Sequence, residues 1–399
     1  MKAASLRKHI RFDCHPVFSK WGKPNIYGSG KLYDLTLKES KCQHKSTGPS
    51  LLTYNPSIAL PLCTKVEALN KPTHLDYRRH IIDLEDGGKV GVDEVTDRKA
   101  PQGVDYPNIL YMPSGLTTSH SPRSKIWASW FLDAGYPRVF ILNQRCTSRV
   151  LQYSPQISIP YGKYNDIPGV VDYLVDYLPN EKWIIIGSCF GSAFVLNYFS
   201  QPSSYRSEVL GGIVDSFQFN GKKYLEGHYK SKSWLFKVAR SMVMKMFVDV
   251  ALKHSANQDV YDQVSELVDR ERFEGIDFST VQSCQLVFEE LLRKICPDAP
   301  FNTEEEYFAL TYPYFDQSHE KNFLRIKKPV TLIYAQDDPF CSFDWEMIET
   351  LKENENMCLW LYPGGGHICF NEKIFPYTSY LKDVYLENAG MLMRNQGQM

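Results

Sequence analysis

The sequence predicts an α/β architecture: a mostly parallel central sheet, helices on both of its faces, and a helical cap inserted between two of the strands. Three observations predict it. Short apolar runs of strand length alternate with amphipathic stretches of helix length from about residue 108 onward. Such alternation is the signature of a parallel sheet covered on both sides. Residues 217–319 break the alternation with a long, mainly helical stretch, too long for a loop and therefore read as a cap. Finally, the reactive residue types stand just after strands, where open parallel sheets place their sites.

Residues 1–75 read as an irregular N-terminal extension, broken by Gly28, Gly30, Pro49 and Pro56. The main domain is expected over 76–390 and a C-terminal tail over 391–399. His80–Leu84 and Lys89–Val95 flank Asp86-Gly87-Gly88 and predict a β-hairpin. Strands follow at Asn108–Met112, Arg138–Leu142, Lys182–Ile186, Val209–Val214, Val330–Tyr334 and Cys358–Tyr362. Helices are expected at Lys125–Ala134, Ile167–Leu178 and Gly191–Phe199. The first half of the cap is basic and amphipathic, with Lys222, Lys223, Lys230, Lys232, Lys237, Arg240 and Lys245 among Trp234, Leu235, Phe236, Val238, Met242 and Met246. An apolar face turned to the core is the reading adopted; peripheral contact with a lipid surface is the alternative.

Composition narrows the function classes. A net charge of −1 gives no reason to expect a nucleic-acid partner. Met1–Trp21 is polar and basic, without the apolar core of a secretory signal, and no run is long enough to span a bilayer. A cytoplasmic location is therefore expected, with the 10 cysteines reduced. They lack the repeated short spacing of zinc sites, so neither a metal nor a cofactor is expected.

One cysteine stands out by position. Ile184-Ile185-Ile186-Gly187-Ser188-Cys189-Phe190-Gly191-Ser192 is an apolar strand running into G-x-C-x-G and then a helix. This is the nucleophile-elbow pattern with cysteine at the apex. The nucleophile of such an elbow sits on a sharp turn, and side chains two residues before or after it would collide with neighbouring backbone. Gly187 and Gly191 meet that demand only if Cys189 is the apex. With Ser188 there, Ile186 and Phe190 would fill the crowded positions.

Asp337-Asp338 follows the strand ending at Tyr334, and Gly364-Gly365-Gly366-His367 follows the strand ending at Tyr362. Nucleophile, acid, histidine is the chain order of α/β-hydrolases. In this assignment His367 is the general base toward Cys189 and Asp338 orients the imidazole. A free thiol titrates near about 8.5, and a histidine partner at a helix N-terminus raises the thiolate fraction. The oxyanion of acyl transfer needs two N–H donors. Phe190, directly after the nucleophile, supplies one. Leu116, in Pro113-Ser114-Gly115-Leu116-Thr117 after the first parallel strand, supplies the other.

These residues resemble a branch of the α/β-hydrolase superfamily, AB hydrolase family 4. That branch includes acylglycerol lipases and phospholipases, plant embryogenesis-associated hydrolases and fungal medium-chain ester synthase/esterases. The resemblance runs from about Lys71 to Glu387. It rests on Tyr77-Arg78-Arg79, Leu84-Glu85-Asp86-Gly87-Gly88, Ser114-Gly115-Leu116-Thr117, Asn143-Gln144-Arg145, the elbow, Asp337-Asp338-Pro339-Phe340 and Gly365-Gly366-His367-Ile368-Cys369-Phe370. It implies Asp338 as the triad acid, with Asp337 the fallback, and a small lipid-like acyl-ester substrate. The departure is at the elbow, where the family has Gly-x-Ser-Leu-Gly-Gly-Asn. Cysteine there implies a thioester intermediate. Two other readings share the residues: an acyltransferase or ester synthase, and a non-catalytic lipid-binding protein. Retention of both His367 and Asp338 speaks against the last.

Overall fold

The computed structural model describes residues 22–45, 56–97, 106–115, 117–145, 153–160, 162–201, 206–218, 258–273, 286–298, 301–303, 322–338, 345–368, 371–373 and 378–397, with isolated positions between 241 and 341. The basic cap stretch is outside the described residues except for Lys245. So are Leu116, Pro339-Phe340 and Cys369-Phe370.

A nine-stranded sheet forms the centre. Its strands are β1 (Asn25–Gly28), β2 (Asp76–Asp83), β3 (Lys89–Thr96), β4 (Asn108–Met112), β5 (Val139–Asn143), β6 (Trp183–Ser188), β7 (Val209–Asp215), β8 (Val330–Ala335) and β9 (Met357–Tyr362). They lie in the order β1-β9-β8-β7-β6-β4-β5-β3-β2. From β5 through β4, β6, β7 and β8 to β9 every neighbour is parallel. The hairpin β2–β3 joins β5 antiparallel, and β1 joins β9 antiparallel at the other side.

The parallel strands form because their residues are apolar on both faces. Every residue of β4, β5, β6, β7, β8 and β9 is buried. Alternate side chains enter different cores. Trp183 and Ile185 of β6 face one cluster, with Ile167, Phe194 and Leu351; Ile184 and Ile186 face the other, with Trp127, Phe131 and Tyr385. The helices over the first face are α4 (Asp166–Tyr177), α5 (Phe190–Ser200) and α7 (Trp345–Lys352). Those over the second are α1 (Gly30–Glu39), α3 (Pro122–Asp133) and α8 (Tyr380–Asn395). Three starts are capped: Ser121 accepts from Ser124 N–H before α3, with Pro122 in the first turn, Asn165 accepts from Ile167 N–H before α4, and Ser379 accepts from Leu381 N–H before α8.

The described part of the stretch expected to be irregular contains β1, α1, a 3-10 turn at Cys42–His44 and α2 (Pro56–Asn70). They form through long-range partners. β1 takes the edge of β9; Leu32 and Thr36 of α1 are buried; Glu67 of α2 forms a buried ion pair with Arg123 of α3 at 2.8 Å. At the other end, α8 continues to Asn395, so the expected tail from 391 begins as helix. Met391, Leu392 and Met393 are buried and hold it to the sheet.

Described parts of the 217–319 segment include α6 (Gln258–Leu267) and a helical turn at Val287–Leu292. Val248, Leu252, Val264, Phe273, Val287 and Leu291 form a third apolar cluster with Ile157, Ile159 and Tyr164. Among the described residues, no helix is long and apolar enough to cross a membrane.

Candidate active site

The β6–α5 junction is tightly constrained backbone. Cys189 has φ 53 and ψ −118, a positive φ forced on a non-glycine residue. A Cβ on Gly187 would lie 2.8 Å from the Gly191 carbonyl oxygen, the Ser192 Cα and the Val195 side chain. A Cβ on Gly191 would overlap the Met112 carbonyl oxygen and stand 2.6 Å from that of Pro113. Both glycines are therefore required by close approach of β6, α5 and the exit of β4.

Cys189 is half-buried at the head of α5. Ser188 is fully buried; its hydroxyl donates to Asp215 Oδ1 at 3.2 Å, away from the apex. The Cys189 N–H donates to the Asp215 carbonyl at 3.0 Å, and the Ser192 hydroxyl donates to the same oxygen at 2.8 Å. The end of β7 thus holds the elbow from below. The Asp215 carboxyl is entirely buried, accepting also from the Tyr385 hydroxyl. Burial pushes it up to about 6, despite the lowering effect of Tyr385, Ser188 and Ser216.

His367, beyond β9, faces Cys189. Its Nε2 is 3.0 Å from Cys189 Sγ, and its Nδ1 is 2.8 Å from Asp338 Oδ2, just beyond β8. With Nδ1 donating its hydrogen to Asp338, the neutral imidazole offers Nε2 to the thiol as an acceptor, and the imidazolium offers Nε2–H to the thiolate as a donor. Asp338 and His367 are 1% and 5% exposed, so bulk water screens their contact little. Burial pushes the imidazole down, but the charges and hydrogen bonds of Asp338 and Cys189 outweigh it, and its pKa lies well above the ordinary histidine value. Asp337, the fallback acid, points elsewhere: its Oδ1 accepts from Gly366 N–H at 2.8 Å and ties the loop that presents His367.

Phe190 is the first residue of α5, so its N–H has no acceptor within the helix and lies beside the Cys189 apex. Gly115 stands across from it; a Cβ there would be 3.4 Å from Phe190 Cβ.

Three neighbours were given no role in the site by the sequence. Ser216 (φ 47) and Ile368 (φ 52) are both strained, and Ile368 N–H donates to Ser216 Oγ at 3.0 Å, fixing the residue after His367. Cys341 lies behind the imidazole; its Sγ donates to the Ser216 carbonyl at 3.4 Å and its N–H to Asp338 Oδ1 at 3.1 Å. Only a paired run of positive-φ positions could have flagged the first two, and sequence does not display φ. One ligand-type atom each from Asp338, Cys341 and His367 fall within 4.8 Å of one another. The carboxylate and imidazole of that set are already committed to each other.

The arrangement can deprotonate a thiol, hold the resulting imidazolium, and offer a helix-terminal N–H to a developing negative charge. No protein-family model matches the chain. The phospholipase ABHD3 of Mus musculus is 25% identical over 317 residues, covering 78% of this chain and 71% of the relative. A monoacylglycerol lipase of Saccharomyces cerevisiae is 25% identical over 209 residues, covering 52% of this chain and 42% of its own length. Among solved structures, the Pyrococcus furiosus esterase Pf2001 aligns with TM-score 0.48 and 17% identity, over 80% of this chain and 91% of the esterase. The naproxen esterase of Bacillus subtilis aligns with TM-score 0.42 and 13% identity, over 87% of this chain and 99% of its own.

Proposed function

The chain has the α/β-hydrolase fold, and on that premise we propose that it is an acyl-ester hydrolase working through Cys189, His367 and Asp338. The observation that carries the proposal is the single imidazole bridging a thiol at 3.0 Å and a carboxylate at 2.8 Å, at an elbow whose apex is strained. His367 takes the Cys189 proton as sulfur attacks the acyl carbonyl carbon. The oxyanion forms toward the Phe190 and Leu116 N–H groups. His367 then gives the proton to the leaving alcohol oxygen, and a thioester remains on Cys189. Water, deprotonated by His367, attacks that thioester and releases the acid and the thiol. Asp338 keeps the imidazole in its tautomer and stabilises its cation.

Two considerations support a lipid ester as substrate: the motifs shared with AB hydrolase family 4, to which we assign the chain, and the lipase and phospholipase names of its relatives. The test is labelling with an ester-type activity probe followed by peptide mass spectrometry, alongside hydrolysis of monoacylglycerol and phospholipid. An adduct on Cys189 that disappears in His367→Ala is expected. An adduct on Ser188, or none on the folded protein, overturns the proposal. Product passing to added alcohol in preference to water would recast the enzyme as a transferase.

A further inference from the structure

The residues leaving β5 reach into the loop that leaves β4. Gln144 is 1% exposed, and its side-chain amide donates to the Pro113 carbonyl at 2.6 Å. Pro113 is the first residue beyond β4, and its carbonyl is also the surface on which α5 begins, 2.6 Å from where a Cβ on Gly191 would stand. One peptide oxygen is thus held from two sides. The loop then closes on itself: Thr117 donates to the Ser114 carbonyl through its N–H at 3.2 Å and its hydroxyl at 2.6 Å. Its far end is held by the preceding residue of the same strand exit, for Asn143 Oδ1 accepts from Ser119 N–H at 2.9 Å.

Gln144 itself has little freedom to drift. Asn143 donates through Nδ2 to Asp93 at 3.1 Å. On the other side the Arg145 guanidinium, 2% exposed, is locked between Asp86 at 2.9 Å and Asp166 at 2.5 Å. The segment 143–145 is therefore a fixed post that holds both the Pro113 carbonyl and the Ser119 N–H.

We propose that Gln144 is a positioning residue for acyl transfer: its buried amide holds the Pro113 carbonyl against the start of α5 and so fixes where the Phe190 N–H stands to receive the oxyanion beside Cys189. This rests on the function proposed above. Gln144 acts on the Pro113 carbonyl, so its influence falls on reactions that build an oxyanion and spares those that do not.

That division supplies the test. Acylation of Cys189 by p-nitrophenyl acetate passes through an oxyanion. Alkylation by iodoacetamide does not: the C–S bond forms as C–I breaks, iodide leaves and the thiol proton passes to His367. Gln144→Met keeps the volume without the donor, and Gln144→Glu places a carboxylate against the carbonyl. Both variants are expected to lose roughly 10–100-fold in acylation rate, mostly in kcat with KM little changed. Their alkylation rate should stay within about twofold of wild type with the same pH midpoint, as misplaced N–H donors alone predict. Unchanged acylation overturns the proposal, as does an equal fall in both reactions, which would mark a purely structural role. Wild-type protein that alkylates but does not react with the ester overturns the hydrolase reading itself and this inference with it.

Discussion

The Cys341 thiol lies 3.8 Å from Nδ1 of His367, the ring nitrogen that Asp338 meets at 2.8 Å. Two thiols therefore flank one imidazole, and their surroundings divide them. Burial pushes the Cys341 thiol far up, with Asp338 adding to it, so it stays protonated and unreactive. Cys189 is half-buried and meets the opposite nitrogen. Iodoacetamide is expected to modify Cys189 at least about tenfold faster than Cys341, because the thiolate is the nucleophile. Timed peptide mass mapping checks this, and faster loss of Cys341 would contradict it. Cys341→Ala should cost about 1 kcal/mol of stability as a small cavity.

The two adjacent aspartates should separate by pH profile. Deacylation and acylation require His367 as a base, so the rate rises with pH through its pKa. Asp338 is a main cause of that pKa standing high. Asp338→Asn should therefore move the midpoint of kcat/KM to lower pH and reduce the plateau on the order of 10³–10⁴-fold, because the amide also favours the wrong tautomer. Asp337→Asn should leave the midpoint in place and cost about 1–3 kcal/mol of stability through the Gly366 contact. Reversed profiles would make Asp337 the acid.

Asp215 predicts a pH-dependent stability. Its folded pKa is raised to about 6 by burial, so between the ordinary carboxyl value and 6 the folded state holds more protons than the unfolded one. Stability from this group is present at low pH and is lost as pH rises through about 6. Urea titrations at pH 4.5 and pH 7 should show the difference between wild type and Asp215→Asn shrinking by roughly 2 kcal/mol at the higher pH. An equal difference at both values would mean that Asp215 is ionised throughout.

The elbow glycines should not tolerate alanine equally. At Gly191 the new methyl meets two backbone carbonyls of β4 and its exit; at Gly187 one of its three neighbours is a side chain, that of Val195. Gly191→Ala is expected to cost upward of about 3 kcal/mol, and Gly187→Ala about 1–3 kcal/mol, by overpacking. Denaturant midpoints of the two purified variants decide the order.

Much of this was legible because it is local. β4 through β9 are continuous apolar runs, and the hairpin has Asp86-Gly87-Gly88 at its turn. The elbow signals itself by two glycines around one cysteine. What escaped depends on partners distant in the chain. β1 is four residues that end in Gly28, two before the helix that starts at Gly30, and it is a strand because β9 offers an edge to pair with. The helix at 30–39 buries Leu32 and Thr36 against α8, more than three hundred residues later. Ser216 and Cys341 belong to no motif, and Gln144, although it lies in the Asn143-Gln144-Arg145 run, has a residue type that marks no catalytic role. They matter because six different strand ends converge, and no spacing along the chain records that convergence.

The short strand at residues 25–28 has a further consequence. A parallel sheet of this size ends in open backbone on two sides, and an open edge invites another chain to add to it. On one side β1 occupies the outer edge of β9 and then turns directly into a helix. On the other, β2 presents Arg78 and Asp83, one on either side of Ile81, at its exposed positions. The molecule therefore resists intermolecular strand addition by two different means, a covering segment at one border and charge at the other. Deleting residues 22–40 would remove the first, and the product expected is a species that self-associates through β9 rather than a smaller, well-behaved monomer.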